Sequence, residues 1–178
     1  ARPRGSRQHR AMHIRRFLAA ALLGLSATFA VAAPAAFVAD PAVEATAEAD
    51  AEQAVAMAKR QFGIALDWSD RSIDDVEHAL AGLHTSYALA SPKPSDEQLM
   101  PLAKAFGAYF GEVYRRNHGA AWGRVTMNGE TYPGIHTAAG VDVWPAGRVM
   151  NRITDGPDND VAIYYRRLAE PKRADDAE

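Results

Sequence analysis

The chain has 178 residues, no cysteine and a formal net charge of −2. That length suits a single domain, and the missing cysteine excludes disulfide staples, thiolate metal sites and cysteine nucleophiles. The charge is unevenly divided: residues 1–33 carry six arginines and no acid, whereas residues 34–178 carry 14 basic and 22 acidic groups, a balance of −8. So acidic a body argues against nucleic acid or anionic lipid as a partner, because nothing gathers the cations that phosphates need.

Residues 1–11 precede a methionine and read as an upstream or artificially added extension. From Met12 the order is Arg15-Arg16, an apolar run from Phe17 to Phe29, and Ala30-Val31-Ala32. Positive flank, short apolar stretch and small-residue cleavage pattern make residues 12–33 a secretory signal. The run falls short of the ~20 residues a membrane span needs. The expectation is an exported chain, periplasmic or secreted, with no stable transmembrane anchor after processing.

Residues 34–44, rich in alanine, proline and acids, read as a tether, and 45–170 as one domain. Ala45 to Phe62 is an alanine-rich helix that Gly63 ends. Ile64 to Trp68 is a short strand or a linker pinned by Trp68. A second helix starts at Ser69 or Asp70, has Asp74 and Asp75 near its positive end, and repeats Ile73, Val76, Leu80, Leu83 and Tyr87. Ser95 with Gln98 forms a capping box for a third helix, which carries Leu99, Leu102, Ala103, Phe106, Phe110 and Val113 and ends near Asn117-His118-Gly119.

The period then changes from helical to alternating. Trp122, Val125 and Met127 lead to Asn128-Gly129, and Glu130 to Ile135 return, so a hairpin is expected. "GVDVWP" fits a third strand, and Pro145 starts a helical turn with Val149 and Ile153. "TDGPDND" is a loop. "VAIYYRRLA" is a helix or an edge strand, with capping by Asp158 or Asp160 favouring the helix. Residues 171–178 form a charged tail. This order gives an α+β fold: N-terminal helices packed against a small antiparallel sheet, with a C-terminal helix.

Gly107 and Gly111 lie one turn apart on the third helix, where they admit close packing. No Gly-x-Gly-x-x-Gly or Gly-Lys-Ser/Thr sequence offers a phosphate cradle. Glu112 pairs with Arg116 one turn on; a buried Glu112 with a raised pKa would instead serve as an acid or base. His118 sits at a helix C-terminus. His136 has two options: an acid–base pair with Asp142, or a metal site with His118 and Glu112. The spacing requires neither, and Asp155, Asp158 and Asp160 lack calcium-loop spacing. No metal or cofactor is therefore expected. Trp122, Tyr132, Trp144, Tyr164 and Tyr165 are candidate binding aromatics for a sheet face or groove.

Gly107, Tyr109, Gly111, Glu112, Val113 and Trp122 together resemble small uncharacterised bacterial exported domains with a Gly-x-Tyr-x-Gly-Glu-Val-like helix, over roughly Ser95 to Leu168. The resemblance implies a small α+β fold and assigns no catalyst; some such domains look like antitoxin or immunity modules. The leading expectation is an exported domain binding a basic protein or an envelope component, which the acidic body would attract. The alternatives are a small periplasmic hydrolase using Glu112, with His118, His136 or Asp142, and a purely structural domain.

Overall fold

The structure is a computed structural model that describes residues 36–127 and 129–170. The expected N-terminal extension (1–11), export signal (12–33) and charged tail (171–178) lie outside the described residues.

The fold is α+β. In chain order it runs β1 (Ala36–Ala39), α1 (Pro41–Met57), α2 (Ser72–Leu89), α3 (Asp96–His118), β2 (Ala120–Met127), β3 (Glu130–Thr137), β4 (Asp142–Val143), α4 (Pro145–Asp155) and α5 (Val161–Ala169). A π-helical turn, Ala58–Phe62, extends α1 and closes on Gly63 at φ +68°. The strands pair antiparallel in the order β1-β2-β3-β4.

Two expectations are corrected. Residues 36–39, read as part of a tether, form β1 and pair with Gly123–Thr126 of β2. Phe37 and Val38 favour a strand, but two such residues between alanines are too short a signal to stand out, and pairing to the β2 edge decides the matter. Helix α1 accordingly starts earlier, with Asp40 capping the Ala42 amide at 2.9 Å and Pro41 at the first helical position. The region after Pro145 is a full helix of 11 residues, not one turn. Ile64 to Trp68 is a linker rather than a strand, and the last element is a helix, capped by Asp160 on the Ile163 amide at 2.7 Å.

Helix α3 is the spine. Its box is complete: Ser95 Oγ accepts from the Gln98 amide at 3.4 Å, and Gln98 Oε1 accepts from the Ser95 amide at 2.9 Å. From Ala105 to Tyr114 every residue of α3 is buried, because α1, α4, α5 and the sheet all pack on it. Phe106, Tyr109, Phe110 and Val113 meet Ala51 and Ala54 of α1, Val149 and Ile153 of α4, and Trp122 and Ile135 of the sheet in one core. Each fully buried large apolar side chain there contributes roughly 1.5–3 kcal/mol.

The two helical glycines explain how neighbours come so near. A Cβ on Gly107 would lie 2.5 Å from the Ala146 nitrogen, and one on Gly111 would overlap the Trp122 ring. Gly107 therefore admits the start of α4, and Gly111 admits an indole.

Candidate functional site

Glu112 follows Gly111 and turns toward the same indole. It is fully buried, yet neither oxygen lacks a donor. Oε1 accepts from Arg115 Nε at 2.9 Å and Trp122 Nε1 at 2.7 Å; Oε2 accepts from Arg115 Nη2 at 3.0 Å and Arg116 Nε at 3.1 Å. Arg115 reaches onward to Glu44 at 3.2 Å and Glu48 at 2.9 Å, tying α1 to α3. Burial works against the Glu112 charge, but the hydrogen bonds from Arg115, Trp122 and Arg116 and the Arg115 charge outweigh it, so its pKa is lowered. A general acid would need the opposite shift. The i+4 pair with Arg116 is present, but the i+3 partner Arg115 supplies two bonds and the sheet supplies a third donor.

At the end of α3, His118 Nε2 lies 3.0 Å from Asp70 Oδ2. Asp70 Oδ1 also accepts from the Tyr165 hydroxyl at 2.5 Å and Asn117 Nδ2 at 2.8 Å. Burial raises the Asp70 pKa, and these donors more than offset it, leaving the carboxyl below its ordinary value. Tyr165 is shifted strongly upward, by burial first and by the adjoining carboxylate second. The same corner holds Trp68 at φ +66°, an uncommon conformation for so large a residue. It is fixed by the Trp68 amide donating to Tyr109 Oη at 2.9 Å, by Asn117 Nδ2 donating to the Trp68 carbonyl at 3.1 Å, and by the Arg116 guanidinium 3.9 Å over the indole. Trp68 thus pins the linker. The cluster clamps α3 and α5 to the turn that leads into α2.

His136 and Asp142 do form a pair, Nδ1 to Oδ1 at 2.7 Å, with the Phe37 ring stacked 5.0 Å from the imidazole. Register separates this pair from Glu112. Trp122 stands opposite Ile135, and Ala121 opposite His136, so Trp122 and His136 project from opposite faces of the sheet. Gly123 leaves room on the His136 face for the Phe37 ring. Glu112, His118 and the His136–Asp142 pair consequently belong to three separate groups: of the two options for His136, the pair with Asp142 is present, and the grouping with His118 and Glu112 is not brought together. Among the described residues no three His, Asp or Glu side chains are placed to hold a metal ion.

The aromatic candidates divide as well. Tyr165 is buried against Phe110 and Tyr114, and Tyr164 lies under the Arg148 guanidinium at 3.9 Å. Trp122, Tyr132 and Trp144 instead line one groove of about 740 Å³. Its floor is the Met100, Lys104, Gly107 and Ala108 face of α3. One wall is α1 from Ala42 to Asp50, the other the start of α4, and Arg124 and Pro133 close the sheet end. Sequence reasoning missed both helical walls. The α1 wall is mostly alanine with no apolar stripe to mark it, and Pro145-Ala146-Gly147 is too small and short to stand out. The hint available was Gly107 itself, whose missing side chain lets α4 come down onto α3.

The groove's polar groups are few. Arg124 Nε is held by Asp40 at 2.8 Å. Lys104 has no carboxylate within ion-pair distance among the described residues. The Trp144 indole nitrogen is shielded from solvent and has no acceptor among the described residues. No helix among them is long and apolar enough to cross a membrane.

No family model matches the chain, and comparison with curated proteins finds no match. Among solved structures the fold is similar to that of a protein from Bacteroides thetaiotaomicron VPI-5482, with a TM-score of 0.53 and 12% identity over 77% of this chain. The match spans 48% of that longer chain, about half its length. At that identity the likeness is one of fold.

Proposed function

We propose that this chain is an exported binding domain whose ligand site is the groove lined by Trp122, Tyr132 and Trp144. One observation carries the reading: three of the five candidate aromatics converge on a largely apolar space that the described residues leave open. Its volume falls in the range of small-ligand sites, and its few polar groups among apolar walls match their usual make-up. Export is part of the proposal and rests on the arginine, apolar-run and Ala-x-Ala order of residues 12–33. An envelope component presenting an apolar group is the partner class that suits both features. The Glu112 chemistry speaks for binding over hydrolysis, since that carboxylate is charged, buried and fully engaged.

The test is titration of the purified chain with N-phenylnaphthylamine, a neutral probe that brightens in apolar sites. The expected result is saturable binding in the wild type that is lost in Thr46→Trp, which places a large ring at the groove wall. Non-saturable binding, or binding unaffected by Thr46→Trp in a folded variant, would overturn the assignment.

A further inference from the structure

Resting on the reading of the groove as a binding site, we infer that Met100 is a modification site: peroxide converts its thioether to the sulfoxide, and the sulfoxide turns apolar ligands out of the groove.

Two of the residues lining the groove are methionines, Met100 on the α3 floor and Met150 on the α4 wall. Exposure governs which thioether an oxidant reaches, and the two differ in it. Of the methionine side chains that the structure describes, Met57 and Met150 are partly buried and packed against the core, whereas Met100 is 38% exposed. The helical period makes the difference. Leu99 and Ala103 turn into the core and are buried, while Met100 begins the stripe that continues through Lys104, Gly107 and Ala108 and lines the groove.

In the reduced state the thioether is a soft, polarizable part of an apolar floor. In the oxidation step a sulfur lone pair attacks one peroxide oxygen, and the S–O bond forms as the O–O bond breaks. The second oxygen leaves with the bonding pair and takes up the proton of the first as water. The thioether thus loses two electrons and the peroxide gains them. The product carries a polar oxygen, which an apolar ligand lying on the floor would strip of water without offering a donor in return. Met100 lies on the surface, so the packed interior does not depend on its thioether. Oxidation there alters the groove and spares the fold, and methionine sulfoxide reductase reverses it.

The experiment treats the wild type and Met100→Leu with hydrogen peroxide and then removes the oxidant. Each protein is mapped by peptide mass spectrometry, titrated with N-phenylnaphthylamine and melted. Met100 is expected to gain an oxygen ahead of Met57 and Met150. The wild-type affinity for the probe should then fall about tenfold, with the melting temperature unchanged, and recover on treatment with methionine sulfoxide reductase. Met100→Leu keeps an apolar side chain of similar volume, so it should bind the probe and retain that affinity after peroxide. Oxidation of Met100 without a change in affinity would make it a sacrificial scavenger and overturn the inference. An equal loss in Met100→Leu, earlier oxidation of Met57 or Met150, or a melting temperature that falls in step with binding would overturn it too. Each of these outcomes leaves the groove a binding site, whereas failure of the untreated wild type to bind the probe overturns the groove reading beneath it.

Discussion

The Trp122 indole N–H donates to Glu112 Oε1 at 2.7 Å while its ring lies where a side chain on Gly111 would be. Sheet and spine helix are thus joined at one point by a polar bond and an apolar contact that depend on each other. Glu112→Gln removes the charge but keeps the volume. It leaves Arg116 without a carboxylate among the described residues, though Arg115 retains Glu44 and Glu48. Breaking a buried pair costs about 3–5 kcal/mol, and the partly exposed arginines place this case nearer 2–3 kcal/mol. Urea unfolding should show that loss. A change within error of zero would mean that the carboxylate does not join the two layers.

The glycines give a prediction of opposite signs from one substitution. Gly82 is exposed in α2, and an added Cβ would sit 3.8 Å from Phe62 Cε1, an ordinary contact. Gly82→Ala should therefore stabilise by about 1 kcal/mol through helix propensity. Gly107→Ala gains the same propensity but drives a methyl into the α4 backbone, and overpacking of this kind costs about 1–3 kcal/mol. Thermal melts of the two variants should move in opposite directions. Two upward shifts would show that α4 can move away freely.

Acid should weaken the fold through Glu112 and Asp70. Both carboxyls have folded pKa values below their ordinary ones. Between the folded and unfolded values the unfolded chain binds more protons, so stability falls as pH falls. The stabilisation is present above the unfolded values near 4 and is lost as pH drops through the folded ones. A urea midpoint followed from pH 6 downward should decline across that window, and less steeply in Glu112→Gln. Identical slopes in the two proteins would count against Glu112 as a source.

These contacts show why the sequence was readable in some places and silent in others. Local chemistry announces itself: Ser95 with Gln98, the Asn128-Gly129 turn signal between β2 and β3, and the 3.6-residue period of α3 each need only near neighbours. Glu112 was visible as half of a helical ion pair, but its burial depends on Trp122 arriving from the sheet, and that arrival depends on register. His136 and Asp142 stood as one option among several until β4 paired with β3. β1 is four residues long and its pairing with β2 decides it, and α1 was legible as an alanine-rich helix but not as a groove wall, because its alanines mark no apolar face. The three aromatics of the groove could be named, but not distinguished from Tyr164 and Tyr165 without the packing.

Tyr165→Phe tests the clamp at the far end of α3. It removes the hydroxyl donated to Asp70 and leaves the ring packed against Phe110 and Tyr114. Asp70 is half exposed and keeps Asn117 and His118. A hydrogen bond to a charged acceptor contributes about 1.5–3 kcal/mol, and the lower end applies at this exposure. Hydrogen exchange should report the loss first at α5, whose tie to the turn ahead of α2 is weakened, before α3 is affected. Uniform acceleration across all helices would instead mean that the bond supports the whole domain equally.

The Glu77–Arg152 pair offers the sharpest separation of a stabilising interaction from a merely satisfied one. Arg152 is buried, donates from Nε to Glu77 Oε1 at 2.7 Å, and has its Nη1 without a partner among the described residues. Glu77 Oε2 meanwhile accepts the Val161 amide at 3.0 Å and so anchors the start of α5. Glu77→Leu leaves a buried guanidinium without its carboxylate and should cost about 3–5 kcal/mol. Arg152→Met leaves a more accessible carboxylate that still holds the Val161 amide, and should cost less. The double variant removes both charges, so it should lose less than the sum of the single losses, with a coupling of about 1–3 kcal/mol in a denaturant double-mutant cycle. Additive losses would mean that the guanidinium contributes through its packed stem, and that the Val161 contact accounts for the whole effect of Glu77.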